Sequence, residues 1–164
     1  METQGHDVVI VGAGIAGIVC ALELLGQGRR VLLLDRDQSD KLGGLARESF
    51  GGMFAVDTPE QRRMGIKDSV DLALADWQAF AEFGPDDTWP QRWARAYVGH
   101  CTEHMYWWLR GMGISYLPLP NWVERGQFTP GNSVPRFHIV WGTGQKLAST
   151  LIAQLRQHPN VKNL

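Results

Sequence analysis

The sequence has few cysteines and almost no net charge. Cys20 and Cys101 are the only cysteines in 164 residues, and both fall in helically patterned stretches. This favours reduced thiols in a cytoplasmic protein over a disulfide framework, although the two could still meet in the fold. The 16 basic and 17 acidic residues give a net charge of -1 without a run of one sign. The charge balance therefore indicates no nucleic acid or anionic membrane partner.

A long uninterrupted apolar run is also missing. Residues 8–25, VVIVGAGIAGIVCALELL, carry a single charge, but Asp7 flanks them directly and no basic segment precedes them. Gly12, Gly14 and Gly17 would weaken a spanning helix in its middle. We therefore predict neither a signal peptide nor a membrane span.

What is present predicts an α/β domain. With 44% apolar residues the chain is long enough to bury a core. Val8 to Val11 is typical of a buried parallel strand, and a helix should run from Gly14 to Leu25. Residues 30–35, RVLLLD, predict a second buried strand.

The remaining chain predicts more helix than strand. Residues 36–67 mix charges with glycine and proline and indicate a loop with little regular structure. The patterning then predicts two helices, over 68–80 and 89–110, and Asp87 and Thr88 can cap the second. An extended segment at 114–120 and a loop over 120–136 should follow. We then expect a strand that enters a turn in FHIVWGTG, a last helix that carries Leu147 and Leu151, and a further strand that begins at Val161.

The residues after the first strand form the motif GxGxxG. Gly12 allows a tight turn, Gly14 lets backbone approach a pyrophosphate, and Gly17 lets the helix pack closely on the strand. The N-terminus of the helix offers N–H groups and a partial positive charge to phosphates. Asp35 ends the second strand, where an acid accepts hydrogen bonds from a ribose diol. A turn without a ligand is the alternative, but strand, glycines and acid agree in register and favour a dinucleotide.

The loop GGLARESFGG follows where an ordinary NAD domain would continue into a helix. At this point the sequence resembles the FAD-dependent oxidoreductase 2 family, the flavoprotein subunits of fumarate reductase, succinate dehydrogenase and 3-ketosteroid dehydrogenase. The stretches that carry the resemblance are VVIVGAGIAGIVCALEL, Asp35, GGLARESFGG and GTGQKLASTLIAQL. Within the family the chain is similar to the branch of "FAD-binding dehydrogenases" that has steroid-dehydrogenase-like members.

The resemblance implies FAD as the cofactor and a Rossmann-like FAD/NAD(P)-binding fold, with a parallel sheet and flanking helices. It places the first glycine pair along the pyrophosphate and ribityl chain, and the second pair against the isoalloxazine ring. The implied cofactor-binding residues are Gly12, Gly14, Ile15, Ala16, Gly17, Asp35, Arg36, Gly43, Gly44, Leu45, Ala46, Gly51 and Gly52. Two departures stand out: Leu45 and Ala46 replace polar residues that are usual in the family, and Asp35 replaces the commoner glutamate.

The resemblance also implies that the chain is the N-terminal part of a longer FAD-binding domain. We expect a dinucleotide-binding βαβ unit and flavin loop over 1–67, a helical insertion over 68–140, and a helix leading to the next strand over 141–164. The implied function is a flavin-dependent dehydrogenase or reductase that acts on a small-molecule substrate, at a C–H or C=C bond activated by a carbonyl, with a ketosteroid-like compound as the candidate substrate. A non-catalytic NAD- or FAD-binding module is the alternative. The remainder of the chain or a homo-oligomer would be the partner.

The sequence gives weaker indications of catalytic or metal-binding residues. His100 and His104 share a helix face as metal ligands do, but no third ligand is near in sequence, so we predict no metal. Arg136 and His138 precede a glycine turn and are candidates for substrate or flavin contact, with a surface arginine and a core histidine as the alternatives. The seven tryptophans, all from Trp77 onward, indicate core packing, an aromatic substrate wall or a surface that the rest of the chain covers.

Overall fold

The computed structural model describes residues 5–122 and 128–158. The chain divides into two compact units: a first unit, Met1–Gly51 with Gly142–Leu164, and a second unit, Gly52–Trp141. In chain order the elements are β1 (Val8–Val11), α1 (Ile15–Gly26), β2 (Val31–Leu34), a 3-10 helix (Gly44–Glu48), β3 (Gly52–Phe54), α2 (Pro59–Arg63), α3 (Val70–Ala81), α4 (Thr88–His100), a π-helical segment (Cys101–Trp107), α5 (Trp108–Gly111), β4 (Phe137–Ile139) and α6 (Thr143–Gln157). The strand predicted at Val161, and part of the loop predicted over 120–136, lie outside the described residues.

The first unit is built on a strand–helix–strand element. β1 and β2 pair in parallel, with Val8 opposite Val31 and Val11 opposite Leu34. α1 connects them and packs against α6, which also contacts the 3-10 helix. The predicted order of strand, helix and strand is therefore confirmed, within one or two residues at each end.

The prediction that both strands are buried is only partly confirmed, because some of their side chains are exposed. Val9 is 56% exposed and Val11 84%, and Leu34 is 46% exposed. Their neighbours along each strand are half-buried. Among the described residues the sheet of the first unit has two strands, so side chains of one face remain open to solvent.

The second unit contains an antiparallel pair and a group of helices. β3 pairs with β4, with Gly52 opposite Ile139 and Phe54 opposite Phe137. The predicted extended segment also runs antiparallel to β4, through bridges that include Tyr116 to Val140. A small core forms around Val56, Ala73, Val98 and Cys101. Cys20 and Cys101 are both free thiols.

The prediction of a loop with little regular structure over residues 36–67 is only partly right. This stretch holds the 3-10 helix, β3 and α2. α2 begins with a capping box, in which Thr58 Oγ1 accepts a hydrogen bond from the Gln61 N–H at 3.3 Å and Gln61 Oε1 accepts one from the Thr58 N–H at 2.9 Å. Pro59 occupies the first helical position, where its missing N–H costs nothing.

The helix predicted over 89–110 is confirmed in its extent, but it is not a single α-helix. α4 passes into the π-helical segment at Cys101, and α5 follows at Trp108. Thr102 Oγ1 donates to the carbonyl of Val56 at 2.5 Å and accepts from the Val56 N–H at 3.1 Å, which fixes the start of the wider turn. Asp87 is the N-cap residue of α4, as predicted, but its side chain makes no capping hydrogen bond and its carboxylate accepts the Gly84 N–H at 2.8 Å.

Candidate functional site

The glycine turn after β1 is held by backbone contacts. Gly12 has φ of +103°, and its N–H donates to the carbonyl of Leu34 at 2.7 Å. A Cβ on Gly17 would lie 1.9 Å from the Gly12 carbonyl oxygen, so only glycine fits there. A Cβ on Gly14 would meet no atom within 4 Å. The first and third glycines are therefore required by the fold, whereas the second borders open space.

The start of α1 leaves backbone donors without a side-chain cap. Gly14 is the N-cap, and no acidic residue occupies the first turn. Ile15, Ala16 and Gly17 supply the first N–H groups of the helix. Among the described residues no side chain takes these donors, so an anionic group at this end would meet N–H groups and the positive end of the helix dipole.

The first glycine pair of the loop GGLARESFGG lies against this turn. Gly43 donates its N–H to the carbonyl of Ala13 at 2.9 Å and has φ of +110°. A Cβ on Gly44, whose φ is +54°, would lie 3.3 Å from the Cα of Gly14. The two glycine motifs are thus neighbours in space. Gly44 is exposed and Gly14 is half-buried, so the two glycines present backbone at one place on the surface of the first unit.

Asp35 follows β2 and faces the same turn. Its Oδ2 accepts the Ala13 N–H at 2.5 Å and its Oδ1 accepts the Asp37 N–H at 2.8 Å. These backbone hydrogen bonds hold the pKa of Asp35 below its usual range, so the carboxylate is ionised at neutral pH. Arg36 lies beside it and lines a groove of about 520 Å³ that also touches Lys41, Gly44 and Leu45.

Leu45 and Ala46 contribute backbone and apolar surface. Leu45 is 85% exposed. The carbonyl of Ala46 accepts the hydroxyl of Ser49 at 2.9 Å, which closes the 3-10 helix. Neither side chain can replace the polar groups that are usual at these positions in the resembled family.

The second glycine pair has protein neighbours. Gly51 is buried with φ of +71°, and a Cβ there would lie 2.8 Å from the N atom of Gly144 at the start of α6. Ser49 accepts the Gly144 N–H at 2.9 Å through its carbonyl. Gly52 opens β3 in the second unit. The predicted contact of Gly51 and Gly52 with a flavin ring stays a prediction, and the requirement for glycine at 51 is already explained by the close approach of α6.

Arg136 and His138 are completely buried in the second unit. The guanidinium of Arg136 donates to Asp68 and Asp76, with Nη2 at 2.8 Å from Asp68 Oδ1 and Nη1 at 2.6 Å from Asp76 Oδ2. Burial acts to lower the pKa of Arg136, but the two carboxylates outweigh it and raise that pKa. The alternative of a surface arginine is wrong. A role for either residue in substrate or flavin contact stays a prediction.

His138 is a hydrogen-bonded core histidine. Its Nδ1 lies 2.7 Å from the carbonyl of Arg136, which can only accept, so Nδ1 carries the proton. Its Nε2 then accepts from the hydroxyl of Thr58 at 2.7 Å. Burial lowers the pKa of His138 and keeps the ring neutral.

The tryptophans of the second unit divide between packing and surface. Trp77 packs against Phe54 and Tyr97, with ring centroids 5.4 and 5.8 Å away, and lines a hollow of about 300 Å³ with them. Trp89 and Trp93 are 66% and 71% exposed on α4. Both core packing and surface exposure therefore occur in this set.

The two histidines that share a helix face contact each other. His100 and His104 stack edge to face with centroids 5.3 Å apart, and the described ranges contain no group of three His, Cys, Asp or Glu side chains placed to hold a metal. In the same ranges none of the helices has both the length and the apolar character to cross a membrane.

These contacts fit a dinucleotide in the first unit. The uncapped N-terminus of α1, the open side of Gly14 and the ionised Asp35 all lie at the carboxyl ends of β1 and β2. This is where dinucleotides bind in sheets of this class.

The family model and the curated sequence relatives show the family of this chain. Residues 7–164 match the family model described as FAD binding domain. The chain is 50% identical over 160 residues to a KsdD-like steroid dehydrogenase of Mycobacterium tuberculosis (strain ATCC 25618 / H37Rv), covering 95% of this chain and 28% of that protein. It is 29% identical to a vinyl phenol reductase of Lactiplantibacillus plantarum, covering 87% of this chain and 26% of that protein. The chain thus spans little more than a quarter of the length of these relatives.

Solved structures show the same fold. A 3-ketosteroid-delta4-(5alpha)-dehydrogenase from Rhodococcus jostii RHA1 matches with a TM-score of 0.72 at 21% identity, covering 96% of this chain and 38% of that one. A flavocytochrome c3 fumarate reductase matches with a TM-score of 0.70 at 25% identity, covering 96% of this chain and 26% of that one. The cofactor of the matched family is FAD, as the resemblance implied, and the chain belongs to the FAD binding domain family.

Proposed function

We propose that this chain is the FAD-binding portion of a flavin-dependent oxidoreductase. The observation that carries the proposal is the contact between the two glycine motifs of the chain. The Gly43 N–H donates a hydrogen bond to the carbonyl of Ala13, and Gly44 lies against Gly14 beside the uncapped start of α1. The sequence relatives named as steroid dehydrogenases support the reaction class.

In this proposal the residues of the first unit bind FAD and orient it. The N–H groups at the start of α1 hold the pyrophosphate, Asp35 accepts hydrogen bonds from the adenosine ribose, and Gly44 lets the ribityl chain pass close to the backbone. FAD, when bound, supplies the centre that accepts or donates a hydride. The substrate we propose has a C–H or C=C bond next to a carbonyl, with a ketosteroid as the first candidate.

The predicted division of the chain belongs to this proposal. Residues 1–67 would bind the dinucleotide, 68–140 would form a helical insertion, and 141–164 would lead to the next strand. Two unpaired cysteines support a reducing compartment such as the cytoplasm.

The proposal is tested on the protein that the complete gene encodes. We expect it to purify with a yellow flavin that a chemical reductant bleaches and an electron acceptor restores. Addition of a 3-ketosteroid and an artificial acceptor should then give turnover, measured by acceptor reduction. A colourless protein that retains NAD would overturn the flavin assignment, and flavin binding without turnover on any carbonyl-activated substrate would favour the non-catalytic module.

A further inference from the structure

The side chain of Arg47 joins separate parts of the first unit. Its Nη1 donates to the carbonyls of Asp40 and Leu42 at 2.7 and 3.3 Å. Its Nε donates to Oε1 of Gln145 on α6 at 3.4 Å. The guanidinium therefore links the loop that enters the first glycine pair to the helix that packs beneath it.

The stem of Arg47 also packs over a glycine of that pair. A Cβ on Gly43 would lie 2.8 Å from Cγ and 3.0 Å from Cδ of Arg47. The Gly43 N–H also donates a hydrogen bond to the carbonyl of Ala13, which lies in the turn after β1. Arg47 thus covers one side of Gly43 while Ala13 holds it through a hydrogen bond.

Among the described residues few other hydrogen bonds restrain the loop before Gly43, and Leu42 is its buried side chain. Asp37 bonds to Asp35, and the Lys41 N–H donates to Gln38 at 2.8 Å. Arg156 donates to the carbonyl of Ser39 at 2.5 Å. Residues 40–42 therefore depend on Arg47 for side-chain hydrogen bonds.

We propose that Arg47 is a positioning residue for the cofactor. It acts through Gly43 by holding residues 40–44 in the conformation that sets Gly44 beside Gly14. The inference rests on the proposed function, because Gly44 and Gly14 are the residues expected to flank the FAD phosphates. Its physical basis is preorganisation: a loop that is already ordered loses less conformational entropy when ligand binds.

The test uses three variants of the protein from the complete gene. Arg47→Met keeps the stem and removes the donors, while Arg47→Lys keeps the charge but cannot reach two carbonyls and Gln145 together. Arg29→Met removes a charge from an exposed arginine of the same unit and is the control. The measurements are FAD affinity of the apoprotein, its thermal midpoint, and the rate of tryptic cleavage after the exposed Lys41.

For Arg47→Met we expect FAD to bind about tenfold more weakly. The reason is that the variant lacks the hydrogen bonds that order the loop, whose net contribution is about that of one hydrogen bond, so the loop must be ordered when FAD binds. Cleavage after Lys41 should accelerate in the apoprotein, with a thermal midpoint close to that of the unmodified protein. Arg47→Lys should recover part of both losses, and Arg29→Met should match the unmodified protein.

Unchanged affinity and cleavage in Arg47→Met would overturn the inference. So would a loss of affinity that follows a fall in the thermal midpoint, without recovery in Arg47→Lys, because that result describes a general structural role. If the unmodified protein binds no FAD, the proposed function fails. In that case an unchanged cleavage rate in Arg47→Met also refutes the loop-holding role.

Discussion

At the scale of single residues, the glycines of the GxGxxG motif have different neighbours, so substitutions at them should affect folding and FAD binding differently. Gly14 has φ of -72° and open space where a Cβ would stand. Gly14→Val should therefore destabilise the fold by only about 1 kcal/mol, from the poorer N-cap residue. The valine would occupy the place proposed for the pyrophosphate, so FAD binding should be lost while the thermal midpoint changes little.

Gly17→Ala is the matched comparison. Its added Cβ would lie 1.9 Å from the Gly12 carbonyl oxygen, so the turn or α1 must shift. We expect a loss of about 1–3 kcal/mol or more in the free energy of unfolding. Denaturant unfolding and FAD titration of both variants check the pair, and a Gly14→Val protein that binds FAD normally would contradict the placement of the pyrophosphate.

The sequence predicts the residues of this turn better than their contacts. Strand, glycines and Asp35 are adjacent in the chain, so a local motif reveals them. The contact between Gly51 and Gly144 joins residues nearly a hundred positions apart, and no local pattern reports it. The same holds for Arg136, whose two carboxylate partners lie 68 and 60 positions earlier in the chain.

At the scale of elements, the ion pairs of Arg136 hold the second unit together. Arg136 lies next to β4, Asp68 precedes α3 and Asp76 lies on it. The side chains of Arg136 and Asp68 are both 0% exposed. Gln61 of α2 adds a hydrogen bond to Asp68 Oδ2 at 2.9 Å.

Asp68→Asn should therefore destabilise the protein strongly. It leaves a buried guanidinium without one of its carboxylates, and such breaks cost about 3–5 kcal/mol. Asp57→Asn is the control, because Asp57 pairs with Arg62 at an exposed site and asparagine tolerates its φ of +54°. That change should cost about 1 kcal/mol or less. Urea unfolding measures both, and equal losses would show that the buried pair contributes no more than the exposed one.

Some elements missed from the sequence did have a signal. The stretch Thr58, Pro59, Glu60, Gln61 is a capping box with proline at the first helical position, and it predicts α2 when it is read alone. The π-helical segment has no such signal. Near its start Thr102 is hydrogen-bonded to the backbone of Val56, a tertiary contact that periodicity along α4 cannot show.

At the scale of the whole molecule, stability should depend on pH through His138. Its pKa is lowered by burial, whereas an unfolded histidine titrates near 6.5. As the pH falls through that value, the unfolded chain binds a proton that the folded ring does not. Stability is therefore present above the unfolded pKa and is lost as the medium becomes more acidic.

His138→Gln should flatten this dependence. The variant starts from a lower stability at neutral pH, because the hydrogen bonds to Arg136 and Thr58 are altered, but it loses less between about pH 7 and pH 5. His6→Gln, at an exposed position, should keep the slope of the unmodified protein. Urea unfolding at a series of pH values gives the slopes. If His138→Gln and the unmodified protein lose stability in parallel, the acid sensitivity comes from other groups and His138 is not its source.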